Sequence, residues 1–215
     1  MVFHTNALYQ ASTNNSDQLV TDIQFKFKSK AAAKKTASVK QSKSYHSSKL
    51  KGKVIIIDPG HGGSDPGAVT KNKDYEKHYT WDISQRIKKQ LLRYGAKAYL
   101  LRSRNSNPSL AQRVIKTNQY KADFFVSVHV NSFINESANG TETYYYKNID
   151  KKAAKYVQAE LVKQLKLRNI GIKKARMYVL KNTRAPGVLI EPCFMTNSKE
   201  YALLKTPAFR EKIAV

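Results

Sequence analysis

Four side chains capable of metal or proton chemistry stand where apolar runs end or a helix begins. His61 lies in Asp58-Pro59-Gly60-His61-Gly62-Gly63, directly after the β-branched run Val54-Ile55-Ile56-Ile57. The glycines permit a sharp, open loop that leaves the imidazole at a sheet edge. A phosphate-cradling reading of this turn is weak, because the Gly-x-x-x-x-Gly-Lys-Ser/Thr pattern is absent. His129 lies in Ser127-Val128-His129-Val130-Asn131. Strand alternation there puts Ser127, His129 and Asn131 on one face and Val128 and Val130 on the other. Glu191 follows Leu189-Ile190 and precedes Pro192, which keeps it extended and ends the run. Glu76 stands at the start of a predicted helix. Together these groups suit a metal hydrolase.

Each residue taken singly also has a plain structural reading. Either histidine can be a satisfied structural imidazole, and Glu76 a carboxylate favoured by the helix dipole. Glu191 can pair with one of the many Lys or Arg. Burying it without a partner or a nearby cation is costly. His78 competes with Glu76, but two helical steps turn it about 200° away. It is expected at the surface or behind the site.

The elements that must position these groups alternate. Strands are predicted at 54–57, 98–101, 124–128, 140–146 and 188–190, and helices at 76–94, 109–120 and 151–167. Trp81, Ile83, Ile87, Leu91 and Leu92 form the apolar positions of the first helix, which Gly95 stops, and Leu110, Val114 and Ile115 form those of the second. This spacing is that of parallel crossover units. The fold class is therefore α/β: a single domain with a mixed, mostly parallel central sheet and helices on both faces. In such sheets ligands collect beyond the carboxyl ends of the strands, where His61, His129 and Glu191 fall.

The 39 Lys and Arg against 15 Asp and Glu give +24, which favours a polyanionic partner such as nucleic acid, an anionic membrane surface or the phosphate polymers of a cell wall. Residues 1–52 are rich in Ser, Lys, Ala, Thr and Asn and read as a flexible basic tail or linker. Within it, 23–28 alternates like a short strand. Residues 1–53 carry ten Lys and two Asp, leaving +16 on the remainder. The single cysteine, Cys193, excludes an intramolecular disulfide. No apolar run reaches the roughly 20 residues of a membrane span, and the start of the chain does not read as a signal peptide.

From Lys53 to Ala214 the sequence resembles the zinc-dependent N-acetylmuramoyl-L-alanine amidase family (amidase type 3). The resemblance is carried by an ordered set: Ile57 to Gly63, Glu76, then Leu110 with Arg113 and Asn118. Ala122 to Asn131, Gly140-Thr141-Glu142-Thr143, and Pro186 to Asn197 complete it. It implies one zinc ion held by His61, Glu76 and His129, with Glu191 as the catalytic carboxylate and Asn131 and Glu142 as substrate contacts. Two imidazoles, a carboxylate and an open position for water match catalytic zinc. By this resemblance zinc-bound water attacks the amide between N-acetylmuramic acid and L-alanine in peptidoglycan, and Glu191 acts as general base, then acid.

The implied protein is a monomeric autolysin-type hydrolase, secreted to the cell wall or outside the cell. Its catalytic domain spans 53–215, and the charge of the basic tail leads to the expectation that it attaches to anionic wall polymers such as teichoic acids, a simple spacer being the alternative. Two departures stand out. Cys193 occupies a position where the family often has glycine, and is expected as a buried inert thiol. The chain also stops inside what looks like the family's last helix. A rival reading is a basic polyanion or nucleic-acid-binding protein without catalysis. No specific nucleic-acid motif is present, and few aromatics interleave the basic tail.

Overall fold

The computed structural model describes residues 50–215. The expectations for the tail, including a strand at 23–28, lie outside the described residues. Leu50 is already buried in the core, so packing begins before Lys53.

Six strands form one sheet in the order β2-β1-β3-β6-β4-β5. They are β1 (Val54–Pro59), β2 (Lys97–Leu100), β3 (Phe124–Val128), β4 (Thr141–Tyr145), β5 (Asn169–Lys174) and β6 (Gly187–Glu191). Every pairing is parallel except β4 with β6. The helices are α1 (Glu76–Arg93), α2 (Leu110–Gln119), α3 (Asp150–Leu165), α4 (Tyr178–Asn182), α5 (Ser198–Lys205) and α6 (Pro207–Ile213). The sheet is buried on both faces, as the continuous run in β1 requires. Ile55 and Ile57 pack into the core under α1, α3, α5 and α6, while Ile56 joins the one under α2 and α4. This is the two-residue alternation of a strand sandwiched between helix layers.

Local sequence accounts for the helix ends. Ser109 and Gln112 form a reciprocal capping box on α2. Asn197 caps α5, and Thr206 followed by Pro207 opens α6. Two expected apolar faces differ from the structure. Leu92 is exposed on α1. On α2, Leu110 and Ile115 are exposed while Arg113, Val114 and Thr117 turn inward. A buried guanidinium displaces the apolar stripe there because its partner, Asp58, lies beneath the helix at the end of β1.

Ion pairs tie α1 to α6. Arg86 donates to Asp82 and, at 2.8 Å, to Glu211, and Arg210 also donates to Asp82. Burial raises the Asp82 pKa, but the two guanidiniums outweigh it and hold it below the ordinary carboxylate range. Arg86 likewise lowers that of Glu211. Carboxylates with depressed folded-state values stabilise above their unfolded pKa and lose that contribution as pH falls through the folded one. Both acids are partly exposed, so the network is worth roughly 0.2–1 kcal/mol per pair. Arg86→Gln is expected to melt a few degrees below wild type at neutral pH, and the two curves should converge below about pH 3. A gap that persists in acid would assign the effect to packing instead.

Candidate metal centre at the carboxyl edge of the sheet

Each expected metal ligand leaves a different element at one sheet edge. His61 follows β1, His129 follows β3, and Glu76 is the first residue of α1. One ligand atom from each lies within 4.8 Å of the others. The Glu76 carboxylate bridges the imidazoles, with Oε2 3.1 Å from His61 Nε2 and Oε1 3.0 Å from His129 Nδ1. Burial opposes the Glu76 charge, but hydrogen bonds from His129 and His61 override it and push the pKa far down. At His61 burial opposes protonation, yet Glu76 and then Asp65 prevail and raise the pKa. Asp65 lies 2.9 Å from His61 Nδ1, which directs Nε2 at the cluster. A carboxylate behind a metal-facing imidazole is the usual orienting partner of such ligands.

The cluster suits a small dication on two grounds. The donors are two imidazoles and a carboxylate, the set used by catalytic zinc. Two glycines also keep the space around them clear. A Cβ on Gly60 would meet His129 ring atoms at 2.4 Å, and one on Gly67 would meet Glu76 Oε2 and His61 Cδ2 at 2.6 Å. Overpacking of this kind costs about 1–3 kcal/mol. Gly60→Ala is expected to lower thermal stability by that order and to reduce bound metal in the purified protein. Full metal content in that variant would show that the close approach is not needed.

Two buried arginines strap the His61 turn. His61 adopts φ 58°, a left-handed conformation that a non-glycine residue takes at a cost. Arg113 donates to the carbonyls of Pro59 (2.7 Å), His61 (2.9 Å) and Pro108, and to Asp58 Oδ1 at 2.5 Å. Arg102 donates to Pro59 O, Gly60 O, Lys77 O and Thr80 Oγ1, and Thr80 also donates to Gly60 O. Burial and then the Arg113 charge lower the Arg102 pKa to about 10. Its hydrogen bonds go to carbonyls and one hydroxyl, so peptide dipoles solvate the charge.

Glu191 ends β6 beside His129, whose N–H donates to the Ile190 carbonyl at 3.0 Å. It faces Glu142 across the β4–β6 pair. Glu191 Oε2 is buried without a hydrogen-bond partner. Burial, then the Glu76 and Glu142 charges, push its pKa well up. Glu142 Oε1 accepts from Asn131 Nδ2 and Tyr144 OH, each at 2.7 Å. Lys173 Nζ pairs with Glu142 Oε2 at 2.5 Å. Of two like charges, one is therefore compensated and the other left exposed to its neighbours' fields.

The chain from 55 to 215 matches the family model described as N-acetylmuramoyl-L-alanine amidase. The chain belongs to this amidase family. Over 167 residues it is 39% identical to N-acetylmuramoyl-L-alanine amidase LytC of Bacillus subtilis (strain 168), covering 76% of this chain and 34% of LytC. The match thus spans about a third of that relative. The germination-specific N-acetylmuramoyl-L-alanine amidase of the same strain is 34% identical, with 77% of this chain and 76% of that protein covered. Among solved structures, the catalytic domain of CwlV, an N-acetylmuramoyl-L-alanine amidase from Bacillus (Paenibacillus) polymyxa var. colistinus, aligns with TM-score 0.72 at 34% identity. That alignment covers 75% of this chain and 92% of that one. An N-acetylmuramoyl-L-alanine amidase of Clostridium difficile 630 aligns with TM-score 0.74 at 30% identity, covering 76% and 91%.

In this amidase domain the structure brings His61, Glu76, His129 and Glu191 to one edge. His78 is exposed and stacks edge-on against Tyr75. Cys193 is fully buried. Sequence reasoning missed Asp65, Arg102 and Thr80, and quoted Arg113 without a role. The signals available were an acid four residues after His61 and an arginine just past a strand.

Proposed function

We propose that this domain hydrolyses the amide joining the lactyl group of N-acetylmuramic acid to L-alanine in peptidoglycan, with one zinc ion as cofactor. The observation that carries this reading is the convergence of His61, Glu76 and His129 beside the unpartnered carboxylate of Glu191. His61, Glu76 and His129 would hold the ion. When bound, zinc supplies Lewis acidity, polarising a carbonyl and acidifying water. Glu191 takes a proton from the attacking water and returns it to the leaving amine. Its raised pKa strengthens it as a proton acceptor, and a nearby dication would oppose the upward shift. Asn131 and Glu142, expected at substrate, already share a hydrogen bond, so direct contact at Oε1 requires that bond to open.

The wall is also where this reading places the protein, outside the cell. Among the described residues no helix is long and apolar enough to cross a membrane. Retention on anionic wall polymers by the basic tail, and action as a monomer, belong to the same proposal. The test is product analysis on purified wall: a new L-alanine amino terminus and a free lactyl carboxylate, both suppressed by a chelator. Cleavage between amino acids would make it a peptidase. Wall binding without any cleavage, unaffected by chelation, would favour the charge-driven polyanion reading, since any protein of +24 binds polyanions at low salt.

A further inference from the structure

Trp81 is the chain's single tryptophan, and it lies outside the core that its helical spacing predicted for it. It is half-buried and belongs to neither apolar cluster flanking the sheet. On α1, His78, Trp81, Asp82 and Gln85 follow the spacing of one helical face. With Arg104, from the segment after β2, they line a cavity of about 380 Å³. His78, Gln85 and Arg104 are exposed. The Arg102 guanidinium lies over the indole at 5.5 Å and also bonds the carbonyls of Pro59 and Gly60, next to His61. The cavity is thus joined to the metal cluster through one buried side chain, yet none of the three ligands lines it.

The lining restricts the occupant. Arg104 and Asp82 cancel in formal charge, so the cavity does not select a polyanion. An indole offers a large apolar area on a stiff side chain. Around it, Arg104 and Gln85 can donate hydrogen bonds, and Gln85 and Asp82 can accept them. A flat apolar surface rimmed by donors and acceptors matches a pyranose ring, which presents C–H groups on its face and hydroxyl or acetamido groups at its edge. An aliphatic side chain would leave the rim unused, and a phosphate would meet the Asp82 carboxylate. We propose that this cavity is a non-catalytic subsite that holds an N-acetylhexosamine of the glycan strand against Trp81, so that the domain grips polymeric wall away from the reacting amide. The choice of sugar rests on the peptidoglycan reading above.

Trp81 is also the probe, since no other tryptophan contributes emission. A soluble N-acetylglucosamine oligomer, which has no muramoyl amide to cut, is expected to change Trp81 fluorescence saturably. At high salt, where surface charge is screened, polyglycerol phosphate and a short alanyl peptide are not. Gln85→Ala/Arg104→Ala keeps the indole and alters only exposed side chains, so it should melt with wild type. It is expected to weaken the oligomer about tenfold, the combined effect of two hydrogen-bonding groups. On wall its kcat/KM should fall about as far, while cleavage of an N-acetylmuramoyl-L-alanyl peptide, which has no strand, stays within about twofold. No saturable response to the oligomer overturns the subsite, as does a response to the phosphate polymer or the peptide in its place. Unchanged oligomer affinity in the double variant, or an equal fall on both substrates, overturns it too. Oligomer binding by a protein that cuts no wall would support the subsite and remove the amidase reading alone.

Discussion

Glu191→Gln is expected to stop wall hydrolysis while zinc content stays near that of wild type. The side chain contributes no ligand atom to the His61–Glu76–His129 cluster, so an amide at position 191 leaves the donors intact. General acid–base groups contribute about 10²–10⁴-fold, and kcat should fall within that range. Glutamine has nearly the shape of glutamate and no charge to repel Glu76 and Glu142. The melting temperature is therefore expected to match or exceed that of wild type, the mark of a residue kept for chemistry at a cost in stability. Metal analysis, a melt and a turbidity assay on the same preparation read all three. Activity within tenfold of wild type would remove Glu191 from the mechanism. Loss of zinc in parallel with activity would make it a ligand instead.

The legible part of this molecule was the part in which residue type and element type agree. The isoleucines of β1 can satisfy two faces only in a covered sheet, and His61, His129 and Glu191 each follow an apolar run directly. Their positions at one sheet edge then follow from parallel topology. What escaped was set by partners far along the chain. Arg113 is polar on the inward side of α2 because Asp58 lies 55 residues earlier. No periodicity within α2 contains that fact, and Leu110 and Ile115 gave a misleading apolar stripe. β5 was missed because it is an edge strand with a glycine and two lysines and no continuous apolar run. α4 spans only five residues, too few for a helical period to show. The ordered motif set supplied Glu76, whose role no single-residue argument separates from a helix-dipole contact. Its burial against the segments that follow β1 and β3 makes the difference.

Arg113→Met should be among the most destabilising single substitutions in the domain. The guanidinium and Asp58 are both nearly inaccessible, at 3% and 2% exposure. Asp58 Oδ2 accepts from Ser127 Oγ at 2.9 Å, and Oδ1 pairs with Arg113. Methionine fills much of the volume but leaves an uncompensated buried carboxylate, and breaking such a pair from one side costs about 3–5 kcal/mol. It also frees the carbonyls of Pro59, His61 and Pro108. Asp58→Asn in the Arg113→Met background removes the stranded charge, so the double variant should recover a substantial share of the lost stability. What it cannot restore is the hold on the His61 turn. Its zinc affinity, measured by competition with a chelating dye, should stay about 10–100-fold below wild type, the usual consequence of losing support behind a ligand. Stability and affinity recovering together would mean that Arg113 serves the core alone. Stability recovering without affinity would separate the charge that holds the sheet edge together from the carbonyl contacts that fix His61 in its left-handed turn.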